Sequence, residues 1–244
     1  PPKGREIMNI RPDERRTLVR ARRSKPDTDV VGIDQSLSNC AMVHLNGRTV
    51  VDHCVFHTGC TETKEFKAKM KRGDTLFGEY FESHEMQVAY IVDCVIKQVA
   101  LWNPKSVVLE GLAFGATGKT ERQLAGLYFS IITELHYQLG YSILDNDVVI
   151  VTPTQAKKVG REMLPEEERF LNEYTTRGIR KLRPMSAKKD MIEAVTCAGY
   201  GHILEGYTRK TLVASRKMPT GLEDIPDAIC IGLHHLIHNK KIKE

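Results

Sequence analysis

The sequence predicts an α/β fold, a mixed five-stranded sheet flanked by helices, and three observations carry that prediction. Three β-like runs follow one another over 30–33, 41–45 and 50–56, and Asn46-Gly47 forms a hairpin turn between the last two. After them, long stretches with apolar residues at helical spacing alternate with short buried runs at 106–109 and 148–151. Meander strands first and alternating helices and strands afterwards give a sheet with both antiparallel and parallel pairs.

Each element follows from local pattern. Residues 1–28 carry much charge and proline without a strong apolar period, which predicts a basic arm outside the core, with a short helix around 15–22. The stretch 75–102 places Phe77, Phe81, Val88, Ile91, Val92, Val95 and Val99 at helical spacing, and Asn103-Pro104 stops it, so one long amphipathic helix is expected. A loop at 111–120 leads into a second helix over 122–139 that ends at Gly140. Further helical stretches are expected at 152–158, 188–200 and 224–239. Between them, about 160–186 is highly charged and reads as an insert or lid in a single domain spanning 29–244.

Composition narrows the function classes. At 27% charged and 41% hydrophobic residues, the chain has the balance of a globular protein. The net charge of +5 favours a polyanion, as does the crowding of Arg11, Arg15, Arg16, Arg20, Arg22, Arg23 and Lys25 near one end and Lys240, Lys241 and Lys243 at the other. Solvated tails are the bland alternative. The six cysteines form no CxxC pair, which argues against a structural zinc and for free thiols in a reducing compartment. No apolar run approaches the roughly 20 residues of a membrane span, and no signal-peptide pattern opens the chain, so an intracellular protein away from the membrane is expected.

Four acids stand where an apolar run meets a glycine, a loop or a cap: Asp34 in Val-Val-Gly-Ile-Asp-Gln-Ser-Leu-Ser, Glu110 in Val-Val-Leu-Glu-Gly, and Asp224 and Asp227 in Glu-Asp-Ile-Pro-Asp-Ala-Ile-Cys. A carboxylate in a run predicted to be buried is costly unless paired or metal-bound. Asp224 and Asp227, three apart at a helix start, share one face; taken in isolation, ordinary N-capping is the better account of Asp224. For Asp34 the simpler alternative is a buried acid satisfied by backbone donors, and for Glu110 a strand-end acid facing water. Together the four offer hard oxygen donors to Mg²⁺ or Mn²⁺, and two such ions suit hydrolysis at phosphorus.

The same residues resemble a known family. Gly-Ile-Asp34-Gln-Ser-Leu is similar to the opening strand of the RuvC-type Holliday-junction resolvases of the RNase H-like superfamily. Leu-Glu110-Gly resembles their second acidic motif, and Asp224-Ile-Pro-Asp227-Ala their closing acidic pair. Thr152-Pro-Thr-Gln-Ala-Lys157-Lys158 resembles their Pro-Thr-x-x-Lys stretch and Ser186-Ala-Lys188-Lys189-Asp their second lysine motif, all in the family's order from about residue 30 to 238. The resemblance implies an RNase H-like sheet and a metal-dependent endodeoxyribonuclease that resolves four-way junctions. It implies two Mg²⁺ per site, with Mn²⁺ as a substitute, held by Asp34, Glu110, Asp224 and Asp227, and it makes Lys157 and Lys189 catalytic lysines. Phe114, Lys119 and Arg122, in the loop after Glu110, match the region where the family touches the junction, with Lys158 and Lys188 as further DNA contacts. A homodimer is implied too, since paired nicks need two sites about a two-fold axis.

The sequence also departs from the family. Gln35 and Ser36 replace the Pro-Gly of the bacterial enzymes, and Asp-x-Ser-Leu is closer to phage-type relatives. The basic arm and the 160–186 insert have no counterpart in the bacterial family, which leaves substrate preference open. A flap, branched-DNA or RNA–DNA hybrid nuclease would use the same site. A non-catalytic DNA-binding relative would gain nothing from clustered carboxylates that repel phosphate. The actin-like ATPase and sugar-kinase superfamily opens similarly, but it places glycine soon after the aspartate and needs two such domains.

Overall fold

The structure is a computed structural model that describes residues 10–72, 78–112, 118–176, 178–185, 187–204 and 223–238. The elements run α1 (Pro12–Arg23), β1 (Asp29–Asp34), β2 (Asn39–Asn46), β3 (Thr49–Cys60), α2 (Lys64–Arg72), β4 (Glu79–Phe81), α3 (His84–Trp102), β5 (Ser106–Glu110), α4 (Lys119–Leu139) and β6 (Val148–Val151). They continue with α5 (Pro153–Met163), β7 (Phe170–Tyr174), β8 (Arg180–Leu182), α6 (Lys188–Cys197) and α7 (Ile225–His238). No described helix is long and apolar enough to cross a membrane.

One sheet of six strands organises the chain in the order β4-β3-β2-β1-β5-β6. The meander β1–β2–β3 is antiparallel, while β5 and β6 run parallel to β1. The hairpin between β2 and β3 is as tight as Asn46-Gly47 predicts: Asn46 pairs with Thr49, and Gly47 takes a φ of 60°, open to glycine without strain. This strand order is the RNase H-like arrangement. The expected five strands are all present, and the sixth is β4, a three-residue edge strand parallel to the end of β3. Its strip falls inside the long helix expected over 75–102, which in fact begins at His84. There Ser83 caps the first turn, its hydroxyl accepting from the Met86 amide at 3.3 Å.

Period-two alternation divides the sheet residues between two cores. Val31, Ile33, Met42, Val107 and Leu109 face α3 and α4, whereas Val30, Ala41, Val43, Val108 and Val151 face α5, α6 and α7. The N-terminal basic segment is more than an arm, because α1 docks on the end of α4. Arg22, only 3% exposed, donates to the carbonyls of Leu139 (3.1 Å) and Gly140 (2.9 Å) and lies over the Tyr141 ring at 3.7 Å. It thereby satisfies helix-end carbonyls that would otherwise be orphaned. All six cysteines are free.

Candidate metal centre

The acids converge because of strand register and one close helix approach. β1 and β5 pair with Ile33 opposite Leu109, so Asp34 and Glu110 leave adjacent strand ends on the same face, that of α7. α7 lies directly on β1 at Gly32 and Gly232: a Cβ on Gly32 would stand 2.2 Å from the Ala228 carbonyl oxygen and 2.7 Å from the Gly232 nitrogen. Only glycine permits that approach. The approach brings the start of α7 over the end of β1, and carboxylate oxygens of Asp34, Asp224 and Asp227 lie within 4.8 Å of one another. Glu110 stands beside this trio, close enough for Asp227 to raise its proton affinity.

Lys188, the first residue of α6, points its ammonium into the same cluster. It binds the Asp224 carboxylate, reaches Asp227 at 2.7 Å and lies 3.8 Å from Asp34. Burial pulls the Lys188 ammonium down, but the charges of Asp227, Asp34 and Asp224 outweigh it and hold the group firmly protonated. The acids respond oppositely. Burial, then the charge of Asp227, pushes Asp34 well above the usual carboxylate range, with Lys188 opposing. Glu110 is raised by burial and Asp227 against Lys157 and Lys188, and Asp224 by burial against Lys188. One ammonium leaves such a cluster short of positive charge. An oxygen-only donor set with surplus negative charge fits a hard divalent cation.

Of the two lysines in the second basic motif, Lys188 meets the acids, whereas Lys189 is exposed on α6. Helical geometry separates them: neighbouring residues diverge by about 100° around the axis. Lys157, on α5, lies near enough to Glu110 to lower its proton affinity, while Lys158 is exposed and pairs with Glu162 at 3.7 Å. Arg122, exposed near the start of α4, lines a groove between α3 and α4 together with Val88, Val92, Ile96 and Gly126. Phe114 lies outside the described residues; Lys119 opens α4, and its side chain is outside them too.

The structure adds two residues that sequence reasoning did not single out. Gln35 is 5% exposed; its amide nitrogen donates to the Glu110 carbonyl, tying the ends of β1 and β5 together, and its Oε1 finds no partner among the described residues. His57 on β3 bonds Asn39 through Nδ1 at 3.0 Å; burial lowers its proton affinity, and the nearby Asp224 opposes that. The position of Gln35 directly after Asp34 was the available signal for the first. Nothing in the local sequence marks His57, which reaches the site only through the pairing of β3 with β2.

A mixed sheet ordered in this way, with carboxylates at the ends of its two central parallel strands and at the start of the last helix, defines an RNase H-like fold with an acidic centre. No family model and no curated protein matches the chain. Among solved structures, it is similar to RuvC of T. thermophilus in complex with Holliday junction substrate, at 13% identity and a TM-score of 0.48, covering 86% of this chain and 94% of that one. Thermus thermophilus RuvC on its own is similar at 14% identity and a TM-score of 0.46, covering 86% and 95%. At these values the fold assignment rests on strand order and register.

Proposed function

We propose that this protein is a metal-dependent, structure-selective DNA endonuclease that resolves four-way junctions by paired phosphodiester hydrolysis, leaving 5′-phosphate and 3′-hydroxyl ends. The observation that carries the reading is the convergence of Asp34, Asp224 and Asp227 within 4.8 Å, with Glu110 alongside. Asp34, Glu110, Asp224 and Asp227 would hold Mg²⁺ or Mn²⁺; when bound, such ions activate water and stabilise charge on phosphate oxygens. The chain's own part is to position and to neutralise. Asp34 is fixed by its strand and Glu110 by the strand tie through Gln35, while Asp224 and Asp227 are set by the Gly32–Gly232 contact. Lys188 and Lys157 supply cations beside the acids, where a scissile phosphate has to sit.

The junction substrate is supported by the order of the acidic and lysine motifs along the chain, and the Asp34-Gln-Ser-Leu form supports the phage-type branch. A homodimer follows from the need for two nicks, and the α3–α4 groove, beside the exposed Phe129, is the face we assign to it. Labelled four-way junction, linear duplex, flap and RNA–DNA hybrid, each with Mg²⁺ or EDTA, form the test. Symmetric metal-dependent nicks in the junction, abolished by Asp34→Asn with junction binding retained, are expected. Cleavage of flap or hybrid alone would keep the centre and change the substrate; cleavage in EDTA would refute the metal-based reading.

A further inference from the structure

The segment between α5 and α6 folds as a two-stranded antiparallel ribbon, β7 with β8, paired Phe170 to Leu182 and Tyr174 to Arg180. It forms its own small sheet, separate from the central one. Its base is locked to the body. Arg169 donates to the carbonyls of Leu164 (2.8 Å) and Glu162 (2.7 Å), and Arg161 donates to the Arg183 carbonyl at 2.8 Å. Arg183 in turn grips Asp190 at 2.9 Å and Glu193 at 2.7 Å, both on α6.

The far end has the opposite character. Tyr174 is 63% exposed and Ile179 64%, on a ribbon too thin to bury them. The turn between them is held internally, with the Thr175 amide on the Ile179 carbonyl at 2.8 Å and the Gly178 amide on the Thr175 carbonyl at 2.9 Å. Residues 169–183 contain five basic side chains and a single acid, Glu173; Lys181 pairs with Glu173 at 2.8 Å and Arg183 with the acids of α6, so the surplus is carried by the arginines at 169, 177 and 180. The remaining acids of the insert, Glu162 and Glu166 to Glu168, sit at its base, where Glu168 is 4.0 Å from Arg183. Positive charge with a protruding aromatic and aliphatic pair is the combination that meets phosphates while offering a face to an unstacked base.

Resting on the nuclease reading above, we infer that the β7–β8 ribbon is a DNA-contacting wing whose Tyr174 and Ile179 engage bases left exposed at a branch point. Its mounting fits the task. Arg183 anchors it on the helix whose first residue, Lys188, touches the acidic centre. At ~3.3 Å per residue along β7, Tyr174 stands roughly 13 Å beyond Phe170 at the base of the ribbon. A wing anchored on that helix moves with the element that carries Lys188 into the centre.

Fluorescence anisotropy with wild-type protein and the Tyr174→Ala/Ile179→Ala variant, in EDTA, on a four-way junction and on a linear duplex of equal length, tests the inference. The variant should lose on the order of tenfold in junction affinity and change little on duplex, because only the branch offers an unstacked base. Its thermal melting should match wild type, since both side chains are exposed. Unchanged junction binding, or equal loss on duplex, would overturn the inference. A wild-type protein that binds neither DNA would overturn the nuclease reading itself.

Discussion

Lys188→Met isolates the electrostatics of the centre. The substitution keeps the length of the side chain but leaves the Asp34, Asp224 and Asp227 carboxylates without their shared ammonium. Removing one partner of a fully buried ion pair costs about 3–5 kcal/mol, and an exposed pair about 1 kcal/mol or less. The acids are only 10–18% exposed but the Lys188 side chain is 45% exposed, so the loss falls between those limits, at about 2 kcal/mol. For a chain of this size that lowers the melting temperature by roughly 4–8 °C. This holds in EDTA. Under the metal-centre reading a divalent cation would take up the carboxylates that the ammonium holds, so in millimolar Mn²⁺ the deficit should close. Without its competitor the variant should bind Mn²⁺ more tightly, on the order of tenfold. Melting curves with and without metal, and a Mn²⁺ titration followed by electron paramagnetic resonance, read both effects. An equal deficit in both buffers with unchanged Mn²⁺ affinity would refute the shared position of ammonium and cation.

Two further outcomes follow. Burial and neighbouring charge raise the proton affinity of Asp34 in the folded chain, so the folded state binds more protons than the unfolded one, and this group's contribution to stability falls as pH rises from the carboxylate range upward. Asp34→Asn should therefore melt with wild type near about pH 4 in EDTA and above it by about pH 7, and a variant that is less stable at neutral pH would contradict the assignment. Gly32→Ala places a Cβ 2.2 Å from the Ala228 carbonyl oxygen, which α7 can escape only by lifting from β1. It should cost about 3 kcal/mol and weaken Mn²⁺ binding, whereas melting and titration curves superimposable on wild type would show that this contact does not set the site.

Much of this architecture was legible because its signals are local. The alternation in β1 to β3, the Asn46-Gly47 turn, the caps at Gly140 and Thr152, and the buried runs of β5 and β6 each state their structure within a few residues. The four acids were legible for the same reason: each interrupts an apolar run. What the sequence withheld depends on partners distant in the chain. β4 is a strand only because the end of β3 offers it an edge, and α2 is a short, lysine-rich helix with few apolar residues to announce it. The insert alternates too weakly to announce a ribbon. Lys188 and Lys189 are adjacent and chemically alike, and only the orientation of α6 against α7 selects the first. The docking of α1 through Arg22 was hidden similarly, since arginine reads as solvent-facing until helix-end carbonyls are placed before it.

Charge balance ties these parts to the proposed reaction. Four carboxylates face the ammonium of Lys188, with Lys157 beside Glu110, and the N-termini of α6 and α7 each contribute roughly half a positive charge from the aligned peptide dipoles. About one to two negative charges remain, which a single divalent cation suffices to neutralise. Burial first, and then the neighbouring carboxylate charge, raises the proton affinities of Asp34, Glu110 and Asp224. A second cation would, under the nuclease reading, exceed what the chain alone can balance, and the scissile phosphate would meet its charge. Under the nuclease reading the chain thus completes its centre only together with DNA, and the residues that hold the DNA arm in place, the β7–β8 ribbon through Arg183 and α6 among them, bear on the assembly of the catalytic site as well as on affinity.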